Sequence, residues 1–311
     1  MKKRCLILGG GGFIGSHLAD TLLEKNYDVV IFEKLNFSRN NINHILDKIK
    51  IIEGDFNNEI DLKNALKGID IAFHLVSSTL PANSNENPIY DVETNLVSSL
   101  RFLNEAFING ISRIIFISSG GTVYGIPERL PIKEYHPRKP ICSYGIIKKT
   151  IEDYLYMFGK LYGMDYYVFR LSNPYGERQN PNVAQGVIPV FLKKLIKGEQ
   201  IEIWGDGSVE RDYIYIKDVT GALVKSLDAN PNERIFNLGS GRGYTLNDII
   251  GIIEKVTKKK ANVLYKEKRN IDVPVNVLDN KLISEKLDWK PLTEIEKGIE
   301  KTYQYLLKEI N

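Results

Sequence analysis

Short runs of β-forming apolar residues alternate with stretches of helical period along the first half of the chain. That alternation restricts the fold more than any other feature. The runs Cys5–Leu8, Val29–Phe32, Ile49–Glu53, Ile69–Leu75, Ile114–Ser118 and Tyr166–Leu171 are apolar at consecutive positions rather than at every second one. Strands buried on both faces read this way, and they occur in parallel sheets covered by helices. Phe13–Glu24, Asp61–Leu66, Asp91–Phe107 and Tyr144–Leu161 read as the intervening helices. Leu96, Leu100, Leu103 and Phe107 mark one apolar face, and Ile147, Ile151, Tyr154, Leu155 and Phe158 another. The pattern predicts an α/β fold, an open parallel sheet with helices on both sides.

After Leu171 the rhythm loosens, and Pro174, Pro181 and Pro189 punctuate a loop-rich stretch. We expect a first domain over residues 1–172 and a smaller α/β domain over 173–311, closed by an amphipathic helix at Glu296–Leu307. Segments within 213–238, notably Asp218–Leu227 and Ile235–Leu238, are expected to return to the sheet. The 311 residues are 43% hydrophobic and 26% charged, with a net charge of +3. The charges are scattered, and the Lys258–Lys260 run reads as a solvated helix end, so no nucleic-acid partner is expected. The apolar run after MKKR is too short for a signal peptide, and no membrane span is expected. Cys5 and Cys142 make no disulfide framework, which points to a reducing cytoplasm. His17, His44, His74 and His136 lack metal-ligand spacing, and no metal is expected.

The first apolar run leads into Gly9-Gly10-Gly11-Gly12-Phe13-Ile14-Gly15. Gly9, Gly12 and Gly15 stand three apart, where a strand turns into a helix. Such a turn brings backbone N–H groups and a helix N-terminus against a pyrophosphate; a purely structural turn is the plainer alternative. Glu33 ends the second run, where a carboxylate accepts both ribose hydroxyls of an adenosine and repels a 2′-phosphate. It favours NAD over NADP, with Lys34 and Arg39 nearby as the opposing signal. Asp55 and Phe56, after the third run, suit an adenine, and Leu75, Val76 and Ser77, after the fourth, would lie along the dinucleotide.

Downstream, FISSGGTVYG sets Ser118, Ser119 and Thr122 around two glycines at a strand end. Some twenty residues later, Tyr144 and Lys148 stand four apart at the start of a helix, on one face and one turn from each other. A phenol at its usual pKa near ~10 is a poor base at neutral pH. A neighbouring ammonium favours the phenolate, so this pair can take a proton from a hydroxyl. A Tyr-x-x-x-Lys match is weak alone; with the glycine turn and the hydroxyl-rich strand end it forms an ordered set.

With these segments the chain resembles the extended short-chain dehydrogenase/reductase family, and within it the nucleotide-sugar epimerases. GGGGFIGSHL, FHL, SSGGTVYG, YGIIK, RLSNPYG, WGDGSVERDYIYIKDV and FNLGSG look like successive motifs of that family. The resemblance implies a Rossmann-type domain holding NAD and a C-terminal domain binding a nucleotide sugar. It also implies a homodimer through a four-helix bundle from the helices near 91–107 and 144–161. Cofactor contacts are implied for Gly9, Gly12, Phe13, Ile14, Gly15, Glu33, Asp55, Phe56, Leu75, Val76, Ser77, Asn95, Ser118, Tyr144, Lys148 and Leu171. The family's catalytic Ser or Thr falls on Gly120 here, so Thr122 is expected to supply the alcohol, with Ser119 second. The dehydratase relatives carry an Asp-Glu pair after the threonine, and this chain has none.

The resemblance implies a UDP site as well. Asn173 and the backbone of Val187 and Ile188 would meet the diphosphate, and Trp204 would stack on uracil. Arg211 and Arg269 would clamp phosphates, and Asp272 would accept ribose hydroxyls. Asn276 looks like the position that limits sugar size, where a small residue leaves room for an N-acetyl group. The implied activity is NAD-dependent 4-epimerisation of a UDP-hexose through a 4-keto sugar. A nucleotide-sugar 4-ketoreductase and a noncatalytic NAD-sensing protein are the alternatives.

Overall fold

The computed structural model describes residues 2–183, 186–267 and 273–310. Six strands, β1 (Arg4–Leu8), β2 (Asp28–Glu33), β3 (Ile49–Glu53), β4 (Ile71–His74), β5 (Arg113–Ser119) and β6 (Tyr166–Leu171), join the strand Ile235–Leu238 in one seven-stranded sheet. Its order is Ile235–Leu238, β6, β5, β4, β1, β2, β3. Strands β3, β2, β1, β4 and β5 run parallel, with Leu6 opposite both Val30 and Ala72. The winding reverses between β1 and β4, and in such sheets the crevice beyond the strand ends at that point takes the ligand. This is the Rossmann-like α/β fold expected from the alternation.

The central strands are mostly apolar because both faces are covered, whereas the edge strand β3 is only partly buried. Leu6, Val30 and Ile114 pack with Phe102, Leu103 and Ile151 in one buried cluster. Each such side chain contributes about 1.5–3 kcal/mol on burial.

Helix α1 (Phe13–Glu24) buries Leu18, Ala19 and Leu22. Helix α2 (Glu59–Ala65) is capped by Asn58, whose side chain accepts the Ile60 and Asp61 N–H groups. The expected single helix over Asp91–Phe107 is more complex. It starts as α3 (Pro88–Asp91), with the Asn87 side chain accepting the Tyr90 N–H, passes through a π-helical turn at Val92–Val97, and continues as α4 (Ser98–Ile108). A π turn inserts a residue and shifts the register, which a reading based on period 3.6 does not anticipate. Phe107, expected on the buried face, is 45% exposed. Helix α5 (Ser143–Tyr162) stops at Gly163, which adopts a left-handed φ of 69°.

The chain divides into two compact units, Met1–Gly125 with Pro137–Arg170 and Thr220–Phe236, and Ile126–His136 with Leu171–Val219 and Asn237–Asn311. In the second unit, the strand Glu210–Tyr215 runs parallel to Asn173–Tyr175 and Val275–Asn276 and antiparallel to Gly243–Thr245. A separate parallel pair joins Ile201–Trp204 to Val263–Lys266. The excursion of residues 126–136 into this unit carries no sequence signal. It rests on backbone bonds made by Ile132, whose N–H donates to Val277 O at 2.8 Å and whose carbonyl accepts the Asp279 N–H at 2.8 Å. Among the described residues, no helix is long and apolar enough to cross a membrane, and no metal-binding cluster is found.

Candidate active site

The glycine run does what its spacing predicts for a turn between β1 and α1. Gly9 sits at a φ of +85°, which favours glycine. A Cβ on Gly15 would fall 2.3 Å from the Gly9 carbonyl oxygen and 2.6 Å from Gly10 Cα, so α1 can approach the turn only with glycine there. Helix α1 begins with no side-chain cap and no acidic residue in its first turn, which leaves its N–H groups to an anion. Leu75 and Val76 lie beside the turn, with Val76 Cγ2 3.5 Å from where a Gly9 Cβ would stand.

Glu33 ends β2 beside the glycine turn. Its Oε1 accepts the Gly11 N–H at 3.0 Å and its Oε2 the Lys34 N–H at 3.3 Å. Burial raises its carboxyl above the usual value, and those two N–H groups oppose the rise. Arg39 pairs with Glu53 at 2.8 Å at the surface. Asp55 Oδ1 accepts from the Asn57 backbone at 2.8 Å and side chain at 2.9 Å, while Phe56 packs on His74 in the core. The glycine turn, the uncapped helix and the acid at the end of β2 fit a dinucleotide that carries a free 2′-hydroxyl.

Tyr144 and Lys148 come together as expected, one turn apart on α5. They line one small cavity with Val76, Ser77, Asp91, Asn95 and Ser99. Lys148 is buried, and its Nζ donates to the Ile117 carbonyl at 3.0 Å and stands 5.5 Å from the Tyr144 ring centre. Burial lowers its pKa to about 8, against the pull of Asp91 and Glu152. Burial first, then the Cys142 and Asp91 charges, push the Tyr144 hydroxyl well above its usual value. The Lys148 amine is thus turned toward the Ile117 carbonyl of β5.

At the end of β5, Gly120 is buried, and Ser119 and Thr122 are half-buried. The Thr122 hydroxyl oxygen is shut off from solvent and has no hydrogen-bond partner. A buried hydroxyl without a partner costs free energy, and sites for absent ligands are one place where this occurs. Ser118, expected at the cofactor, has its hydroxyl donating to the buried Glu152 carboxylate. Glu152 also accepts from Arg170 Nη2 at 2.6 Å and Arg138 Nη1 at 3.1 Å, and Arg170 Nη1 donates to the Tyr124 hydroxyl at 2.8 Å. This network staples the strand end that carries Thr122 to α5. Sequence reasoning missed Glu152, although it stands four residues after Lys148, on the same helical face. Asn95 is likewise committed, its amide donating to Asp91 at 2.8 Å and its carbonyl accepting the Ser78 N–H at 2.8 Å.

In the second unit, Asn173, Arg211 and Asn276 share one sheet, with Asn276 in register with Arg211. Asn173 donates to the Asp212 carbonyl at 3.1 Å, and Arg211 to the Val273 carbonyl at 2.7 Å. Trp204 is 39% exposed, with Lys266 Nζ 5.2 Å from its ring. Val187 and Ile188 open a helix that has no side-chain cap and no acid in its first turn. Arg269 and Asp272 lie outside the described residues. Leu171 is buried at the end of β6. Asp212, unmarked in the sequence reading, is fully buried and accepts from the Ser240 N–H at 2.8 Å, the Ser240 hydroxyl at 2.7 Å and the Gly241 N–H at 3.1 Å. It ties the ERDY and GSG segments together.

The sequence model of the NAD dependent epimerase/dehydratase family matches residues 5–239. The chain is 34% identical over 313 residues to dTDP-4-dehydro-6-deoxyglucose reductase of Escherichia coli, spanning 96% of each. It is 31% identical over 307 residues to UDP-glucose 4-epimerase of Mycolicibacterium smegmatis, spanning 97% of this chain and 98% of that protein. The crystal structure of UDP-glucose 4-epimerase from Thermotoga maritima with UDP-glucose matches it with a TM-score of 0.94 and 34% identity, over 99% of this chain and 100% of that one.

Proposed function

This chain belongs to the NAD dependent epimerase/dehydratase family, and from that premise we propose that it inverts carbon 4 of a UDP-hexose through a 4-keto sugar. The observation that carries the reading is the cavity shared by Tyr144 and Lys148 beside Val76 and Ser77. NAD, when bound, supplies the hydride acceptor and then the donor. Its diphosphate would rest on the N–H groups of the glycine turn and its adenosine ribose on Glu33. Tyr144 takes the proton of the sugar 4-hydroxyl and later returns it. Lys148 provides the positive charge that offsets the burial of the phenol. Thr122 donates a hydrogen bond to the 4-oxygen, standing in for the alcohol missing at Gly120, with Ser119 as its reserve.

The first unit is then the NAD-binding domain and the second the nucleotide-sugar domain. Asn173, Arg211, Trp204 and the helix start at Val187-Ile188 serve the uridine diphosphate, with Arg269 and Asp272 as further candidates. Asn276, nearly fully buried and small, favours N-acetylated sugars. Two unlinked cysteines fit the cytoplasm. The Escherichia coli reductase at 34% identity supports a second reading, a 4-ketoreductase that consumes reduced cofactor. Purified protein is incubated with UDP-glucose and with UDP-N-acetylglucosamine, with no cofactor added. Interconversion of either sugar is expected. Turnover of a 4-keto sugar that requires added NADH replaces the proposal with the reductase, and inertness toward both replaces it with a binding role.

A further inference from the structure

Asp91 ends α3 and is completely buried, yet only one of its carboxylate oxygens is used inside the protein. Oδ1 accepts from the Thr79 hydroxyl at 2.6 Å and from the Asn95 amide at 2.8 Å. Oδ2 is out of reach of solvent and, among the described residues, has no hydrogen-bond partner. A buried carboxylate oxygen left this way costs several times what a neutral group would. The same residue lines the cavity of Tyr144 and Lys148, and the free space there, about 10 Å³, holds the centre of a single water molecule. Val76, Ile147 and Ile151 make most of the cavity wall apolar, and Ser77, Asn95 and Ser99 add hydrogen-bonding groups beside the three titratable ones.

We propose that Asp91 is a positioning residue for the Tyr144–Lys148 pair, and that one water seated in this cavity joins its second carboxylate oxygen to the Lys148 amine and keeps that amine an ammonium. The inference rests on the reading of Tyr144 as the proton carrier. The charges facing the pair are few. From α5 come Glu152, bound to Arg170 and Arg138, and from its start Cys142; from β4 comes His74, which burial and Lys148 hold neutral. Glu152 is already shared with two guanidinium groups and Ser118, so Asp91 is the uncommitted anion near the amine. Its charge also raises the phenol. Removing it therefore shifts both titrations in the same direction, downward.

The test is Asp91→Asn, which keeps the shape and an acceptor for Thr79 and Asn95. The pH profile of kcat/KM for the UDP-sugar is expected to move to lower pH by about one unit, with KM changed less than twofold. A carbon-13 label on the Lys148 side chain is expected to titrate lower in the variant by a similar amount. A lost rate with unmoved profile and label would mean that Asp91 is only structural, and would overturn the proposal. The label reads the amine without turnover, so a shifted label in a chain inert toward UDP-sugars would sink the proposed activity and leave this inference standing. If the variant does not fold, a high-resolution crystal structure of the NAD-loaded native protein decides. A water within hydrogen-bond reach of both Asp91 Oδ2 and Lys148 Nζ is expected there, and a dry cavity overturns the proposal.

Discussion

Thr122 Oγ1 is closed to solvent and bonded to nothing among the described residues, so it offers a clean separation of chemistry from stability. Thr122→Val keeps the shape and removes only the hydroxyl. Turnover is expected to fall about 10²-fold, as for loss of a hydrogen-bond donor at a reacting oxygen. The thermal midpoint should stay level or rise, because an unsatisfied buried group is relieved. A stability loss with intact turnover would assign the hydroxyl to folding instead. Lys148 carries a second prediction. Its amine titrates at about 8 in the folded chain and at the ordinary 10.5 when unfolded. Between those values the unfolded chain holds the extra proton, so stability from this group rises with pH through the window and is least favourable below it. The stability of the native apo chain relative to Lys148→Met is expected to climb from pH 8 to pH 10; a flat difference would show an unperturbed amine. The Tyr-x-x-x-Lys spacing exposed this pair in the sequence because a helix places such residues side by side. Glu152 and Asp212 stayed hidden because their partners are remote in the chain, and Asp91 because a buried carboxylate leaves no periodic mark.

At the scale of elements, the β1–α1 turn is built on contacts that no side chain can enter. Gly15→Ala sets a methyl against backbone atoms that have no room to yield, so a loss of about 1–3 kcal/mol is expected, together with loss of bound NAD on purification. Gly251→Ala is the opposite case, since the residue is exposed within a helix and nothing stands within 4 Å of the added methyl. It should stabilise the chain by about 0.8 kcal/mol, read as a raised denaturant midpoint with unchanged slope. The strands and α1 were legible because consecutive apolar residues and glycine spacing report the backbone directly. The π turn at Val92–Val97 was not, since Leu96, Leu100 and Leu103 satisfy a regular helix equally well.

For the whole molecule, α4 and α5 expose several large apolar side chains on their outer faces, interspersed with Arg101, Asn104, Asp153 and Lys160. Phe107 and Tyr162 stack at a centroid distance of 4.9 Å across the two helices, and Tyr156 and Leu161 are 57% and 66% exposed. We propose that this surface is where a second copy supplying the same two helices would pack as a symmetric bundle. Sedimentation is expected to report a dimer, and Leu161→Glu with Tyr156→Glu a folded monomer; a monomeric native chain would remove the four-helix bundle. Stretches of alternating character told of the sheet, whereas the excursion of residues 126–136 depends on backbone bonds of Ile132 and had no counterpart in composition.

The extra residue wound into Val92–Val97 makes the environment of the amine sensitive to the length of the gene. Loss of one codon there would restore a regular helix and swing everything upstream by ~100° about the axis, carrying Asp91 out of the cavity while the reading frame and the outward-facing residues survive. A lineage could thus retune this site in a single deletion event, and insertions or deletions at that one turn, more than substitutions around it, are where divergence of activity should be sought.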